Sequence, residues 1–148
     1  MNILIALMII LPAAGAVFGT VLLQKAYENY TDTNKIKKNE ENDVRAKYYV
    51  LAVLPMLNVL YGLAIALIVN SYFTGAQISK NVGLPCVVLA VTLLLSTLIS
   101  AFLVRRDINK GALRDTKLFG KTVIKVIALE LVIVIGLFFL AGAILGVY

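Results

Sequence analysis

Apolar and charged positions segregate along this chain into four long apolar stretches, near Ile3 to Leu23, Tyr48 to Val69, Leu84 to Val104 and Val123 to Val147, divided by charged segments. At 1.5 Å per residue, runs of about 20 apolar residues cross the ~30 Å hydrocarbon core of a bilayer. Only helices and closed barrels satisfy their backbone polar groups in lipid, and no stretch alternates with the period of two that a barrel needs. The pattern therefore predicts an all-α membrane protein with four transmembrane helices. The first stretch contains Ala13-Ala-Gly-Ala16, which a secretory signal could also contain. No Lys or Arg precedes it and it is too long for a signal's apolar region, so it is expected to remain as a helix.

Composition narrows the chemistry. With 61% apolar and 15% charged residues and a mean hydropathy of +0.93, the chain is too apolar for a soluble domain of 148 residues. The absence of His and the single Cys remove the usual metal constellations, His-based acid and base pairs and any internal disulfide. Cys86, at the start of the third stretch, reads as a small packing residue.

Charge sets the orientation. The segment Gln24 to Lys47 carries Lys25, Lys35, Lys37, Lys38, Arg45 and Lys47, and the segment Arg105 to Lys121 carries Arg105, Arg106, Lys110, Arg114, Lys117 and Lys121, whereas the loop between spans two and three has only Lys80. The positive-inside rule makes both basic segments cytoplasmic and places both termini and the Ser71 to Gly83 loop on the other side. This bias accounts for the net charge of +6. Acids are interspersed through the first basic segment at Glu28, Asp32, Glu40, Glu41 and Asp43, which argues against a nucleic-acid surface.

Two helical hairpins of like orientation follow, residues 1–74 and 75–148, and they suggest a duplication. Setting Gly62 over Gly136 also pairs Leu57 with Leu131 and Leu63 with Leu137, and it sets Met56 opposite Glu130. One repeat then keeps an acid that the other lacks.

Glu130 is the only carboxylate that falls inside a span, in Val126-Ile-Ala-Leu-Glu130-Leu-Val-Ile-Val-Ile135. A charge at bilayer depth costs at least ~3 kcal/mol on insertion scales, so an intramembrane acid is a functional candidate by default. Leu54, Asn58 and Tyr61 lie on one face of span two, and Thr92, Ser96 and Ser100 form a hydroxyl stripe on span three. If both faces meet Glu130, the acid gains the hydrogen-bond partners that a buried carboxyl needs. Each feature has a plainer reading: Pro55 as a helix kink, Tyr61 as packing, the stripe as interhelical hydrogen bonding, Lys125 as a snorkelling cation, and Glu130 itself as a helix-pairing acid.

Leu54-Pro55-Met-Leu57-Asn58-Val-Leu-Tyr61-Gly62 in span two, together with Glu130 six residues before Gly136 in span four, resembles the proteolipid c subunit, also called subunit K, of the rotor ring in V-type and A/V-type ATPases. The resemblance implies a four-helix double hairpin that assembles with identical copies into a ring. It further implies a stator subunit (a or I) that supplies half-channels, central-stalk subunits at the cytoplasmic loops, and one ion-binding glutamate, Glu130, with no cofactor. The protein would then be a non-catalytic subunit of an ion-translocating rotary ATPase, in a cell membrane if prokaryotic and an acidic organelle membrane if eukaryotic.

The family's first and third helices are dense in Gly and Ala. Here the first offers Ala13, Ala14, Gly15, Ala16 and Gly19, and the third Ser96, Thr97, Ser100 and Ala101. Gly15-x-x-x-Gly19 is a close-packing motif in lipid and the resemblance makes it a ring contact. The bulkier inner layer implies a divergent member with a wider ring.

In sodium-binding members the positions matching Leu57, Asn58 and Ser100 are typically Thr, Gln and Gln, so this site has lost or shortened oxygen ligands. Tyr61 matches the tyrosine that bonds the glutamate in the locked state. Sodium would need Glu130, Asn58, Ser100, Thr97 and a backbone carbonyl near Leu54 freed by Pro55, whereas a proton needs Glu130 and one good partner. Protons are therefore favoured over sodium. Two other function classes compete: a small proton-coupled exporter, whose acid would normally have aromatic neighbours, and a structural subunit of a membrane complex, in which Glu130 would be dispensable.

Overall fold

The computed structural model describes residues 3–72 and 80–144. All regular structure among them is helical: α1 (Ile3–Asn34), α2 (Glu41–Val53), a 3-10 turn (Leu54–Met56), α3 (Leu57–Tyr72), α4 (Lys80–Asn109) and α5 (Thr116–Ile144). The four rods Ile3–Asn34, Glu41–Ser71, Gly83–Asn109 and Thr116–Gly142 are each long and apolar enough to cross a membrane. The end of the fourth span at Val147, Tyr148 and most of the loop between spans two and three lie outside the described residues.

The basic segment between spans one and two is largely helix, a correction to its reading as a loop. Leu23, Ala26 and Tyr30 continue the three-and-four spacing of α1 beyond the apolar run and pack with Val44, Tyr48 and Leu51 of α2 and Val104 and Ile108 of α4. Tyr27 stacks on Tyr48 with ring centroids 4.4 Å apart. Local chemistry ends the helices. Lys35 leaves α1 with φ 43°, while the Asn34 side chain caps the Tyr30 carbonyl at 2.9 Å. At the end of α4, Gly111 takes φ 94° in a Schellman closure, donating to the Ile108 carbonyl while Ala112 donates to that of Asp107. Asp115 then caps α5, its carboxylate accepting from the Lys117 and Leu118 amides at 2.8 and 3.2 Å.

The central contact joins α1 to α4, the first helices of the two hairpins, which run parallel. Buried positions along α1, at Ile5, Met8, Pro12, Gly15, Gly19, Leu23, Ala26 and Tyr30, recur at intervals of three and four and make one continuous seam. A Cβ at Gly15 would lie 2.9 Å from Leu94 Cδ1, and one at Gly19 would lie 3.1 Å from Ala101 Cβ. The Gly15-x-x-x-Gly19 motif thus packs against α4 of its own chain, which corrects its assignment as a contact between copies.

The second hairpin helix is interrupted where Pro55 removes one amide donor and crowds the carbonyl four residues back, tightening one turn to 3-10 geometry. Beyond it α3 approaches α1 at Gly62, where an added Cβ would collide with the Met8 carbonyl oxygen. That carbonyl is available because Pro12, four residues on, has no N–H to give it. Gly136, its counterpart in the duplication, meets nothing within 4 Å.

Two apolar clusters fill the bundle. One joins Met8, Ile65, Val69, Leu89, Leu93 and Leu137; the other joins Leu23, Leu51, Val104, Ile108 and Val126. Between their levels along the bundle lie the buried polar residues Asn58, Ser96, Thr97, Ser100 and Glu130.

The two aligned glycines should therefore respond differently. Gly62→Ala is expected to destabilise the chain in mild detergent by about 1–3 kcal/mol through overpacking, while Gly136→Ala should be neutral or slightly stabilising, since glycine costs about 0.5–1 kcal/mol in a helix interior. Thermal unfolding followed by circular dichroism checks this. Equal melting shifts for the two variants would refute the close approach of α3 to Met8.

Candidate ion-binding site

Helix α5 turns one narrow face inward, carrying Thr122, Val126, Glu130 and Leu137, and leaves Ile127, Leu131, Val132, Ile135 and Phe138 exposed. Glu130 sits on this face between Val126 and Leu137, and only 3% of its surface remains accessible. Its Oε1 accepts from Asn58 Nδ2 of α3 at 3.1 Å and from Ser100 Oγ of α4 at 2.9 Å. Asn58, fully buried, also donates from Nδ2 to Ser96 Oγ at 3.1 Å. Three helices thus converge on one carboxyl through side chains alone.

Two buried atoms in this cluster accept no hydrogen bond: Glu130 Oε2 and Asn58 Oδ1. Both are acceptors, so the cluster is short of positive character. No Lys or Arg pairs with Glu130 among the described residues. Two hydrogen bonds to a charged group contribute roughly 3–6 kcal/mol together, against a desolvation cost of several kcal/mol for an ion left without a counter-charge. The chemistry that completes the set is a proton on the carboxyl or a cation beside it.

The remaining candidates divide. Ser96, outside the expected ligand set, is brought in by the Asn58 contact; its place in the hydroxyl stripe was the available signal. Thr92 of the same stripe is turned outward and donates to the Val88 carbonyl at 2.8 Å. Thr97 is buried, but it faces Gly15 of α1 and donates to the Leu93 carbonyl at 2.8 Å, so it is not a ligand here. The Leu54 carbonyl is not left free by Pro55 either, since it accepts the Leu57 amide in the 3-10 turn. The carbonyl that a proline deprives of its donor lies four residues back, at Leu51.

Tyr61 makes no hydrogen bond to Glu130, whose bonds come from Asn58 and Ser100. It lines, with Leu57, Ile127, Glu130, Leu131 and Val134, an open apolar groove of about 240 Å³ between α3 and α5. The groove continues past Tyr61 and Val134 into a second of about 210 Å³ bordered by Ile68 and Phe138. Glu130 is thus approached from the outer, apolar surface of the bundle.

A second buried carboxylate escaped the sequence reading. Asp107, assigned to a cytoplasmic loop, belongs to the last turns of α4 and is 1% exposed. Its Oδ2 accepts from Thr122 Oγ1 at 2.9 Å and Lys125 Nζ at 3.4 Å, and its Oδ1 lies 3.3 Å from Arg106 Nε. Lys125 therefore has a partner instead of merely snorkelling. Val104 and Val126, both fully buried, belong to the apolar cluster between this network and Glu130. Of these two acids, Asp107 has cations and Glu130 has none.

No protein-family model matches the sequence, and no curated protein matches it.

A double-mutant cycle measures the central bond. Asn58→Leu and Glu130→Leu should each destabilise the chain by about 1–3 kcal/mol, because each leaves a buried polar partner unsatisfied, whereas the double variant should cost less than the sum. Additive melting shifts would show that Asn58 and Glu130 do not interact.

Proposed function

We propose that Glu130 is an ion carrier and that this chain is a rotor-ring proteolipid of a rotary V-type or A-type ATPase. The observation that carries the reading is a buried carboxyl with two hydrogen-bond donors, no cationic partner, and a groove leading to it from the apolar face of α3 and α5. Such a group crosses lipid as a neutral species and exchanges its ion only where a partner offers a polar path. In a ring, each copy takes an ion from one half-channel of a stator subunit, carries it round, and releases it to the other half-channel. Moving one elementary charge across 100 mV is worth ~2.3 kcal/mol, so several steps must be summed for each ATP.

The donor set favours protons. A sodium ion needs several oxygens at once, and with Thr97 and the Leu54 carbonyl engaged elsewhere, the acceptors left without partners are Glu130 Oε2 and Asn58 Oδ1. A proton on Glu130 needs one acceptor. In this reading the connections at residues 35–40 and 110–115 are cytoplasmic and face the central stalk, tied together by Arg114, whose Nη2 and Nε reach Glu40 Oε2 at 2.8 and 3.2 Å. Both termini then lie on the non-cytoplasmic side.

One observation favours the exporter as a second reading: Tyr61 and Glu130 line one apolar groove, which supplies the aromatic neighbour that the sequence lacked around the acid. Assembly separates the two. Projection images of the purified complex are expected to show a closed ring of roughly ten copies related by rotation; a dimer would favour the exporter and overturn the rotor.

The carrier role has its own test. Dicyclohexylcarbodiimide, an apolar reagent for protonated carboxyls, is expected to modify Glu130 ahead of every other acid, Asp107 included, because Asp107 is held by cations. Raising the pH should protect Glu130, while added sodium at constant pH should not. Glu130→Gln should insert and assemble but abolish ion translocation in reconstituted vesicles. Even labelling of the loop acids, or full transport by the Gln variant, would leave Glu130 a structural acid.

A further inference from the structure

On the side of α1 that packs beside the end of α4, Phe18, Val21, Leu22 and Lys25 share one helix face, three or four residues apart except for the adjacent Val21 and Leu22. With Arg105 of α4 they line a groove of about 270 Å³. We propose that this groove binds an anionic phospholipid, with the headgroup phosphate between Lys25 and Arg105 and an acyl chain along Phe18 and Val21.

Depth supports a lipid. Ser100 bonds Glu130, and Gly19 lies against Ala101. Arg105 is therefore about 8 Å, and Lys25 about 10 Å, along the bundle from the Glu130 layer at 1.5 Å per residue. Half of a ~30 Å hydrocarbon core is ~15 Å, and long basic stems carry their charges the rest of the way to the interface. Phe18 and Val21 stay at hydrocarbon depth, and both are more than half exposed. A ligand that satisfies both parts of the groove needs an anion and an apolar chain joined at the membrane surface.

Charge supports an anion. Arg45, Lys47, Arg106, Arg114 and Lys125 each pair with an acid, but Lys25 and Arg105 pair with none among the described residues, and no acid lines the groove. Another groove at this end, beside Tyr48 and Tyr49, has Arg45 as its cation, already paired with Glu41 at 3.7 Å. Two cations without an ion-pair partner among the described residues, in a groove that no acid lines, make a basic interhelical pocket of the kind that holds lipid phosphates.

Native mass spectrometry of the intact protein, titrated in mild detergent with phosphatidylglycerol or phosphatidylcholine, tests the assignment. Phosphatidylglycerol should bind more tightly. Each basic residue near the headgroup is worth about a fivefold factor, so Lys25→Gln with Arg105→Gln should weaken phosphatidylglycerol roughly 25-fold and leave phosphatidylcholine unchanged. The charge-preserving pair Lys25→Arg with Arg105→Lys should retain binding, which separates loss of the site from loss of the fold. Unchanged affinity in the Gln pair would overturn the proposal. So would an equal loss in Lys110→Gln with Lys117→Gln, which would assign the attraction to net charge, or inorganic phosphate binding as tightly as the lipid, which would assign it to a free anion.

Discussion

The close approach of α1 and α4 is the contact on which the remaining geometry depends. Water does not drive helices together inside a bilayer, so association rests on packing and on polar contacts, and small residues are what allow backbones to come close. Gly15 and Gly19 leave Leu94, Thr97 and Ala101 just enough room. With α1 seated there, the α4 face bearing Thr97 and Ala101 is used, and the face bearing Ser96 and Ser100 is turned toward α3 and α5. The polar cluster around Glu130 is built on that second face.

The cluster also shows how a bundle tolerates polar atoms at depth. Asn58, Ser96 and Ser100 concentrate their hydrogen bonds on one oxygen of Glu130 and on one another, between two apolar layers. The second carboxylate oxygen and the Asn58 carbonyl oxygen are left over. Nearer the basic end, Asp107 meets the same problem with cations, through Lys125 and Arg106, and with the Thr122 hydroxyl. Two buried acids separated by Val104 and Val126 are thus balanced in opposite ways. The first keeps an oxygen without a partner, and the second ties α4 to α5 through Thr122 and Lys125.

The two prolines of the first hairpin act through the carbonyl four residues before them. Pro12 leaves the Met8 carbonyl without its helical donor, and Gly62 packs against it; Pro55 tightens a turn just before Asn58. Both adjustments occur where α3 meets the seam, and together they set the height at which Asn58 enters the polar layer.

Hydropathy determined the four spans, because lipid admits no other use for runs of that length, and Glu130, the acid inside an apolar stretch, was legible for the same reason. Spacing alone placed Asn58 on one face of span two and Ser96 with Ser100 on one face of span three. What spacing could not decide is which neighbour each face meets. Adjacent residues on a helix differ by about 100°, so Ser96 and Thr97 point to different partners, and only the docking of α1 settles which of them reaches the acid. The same packing turned Gly15 and Gly19 inward to their own chain and gave the Leu54 carbonyl a local donor. It also buried Asp107, whose charge alone made it look like a loop residue. Sequence determines what must leave water; the partners that each buried group finds are set by helix contacts between residues distant along the chain.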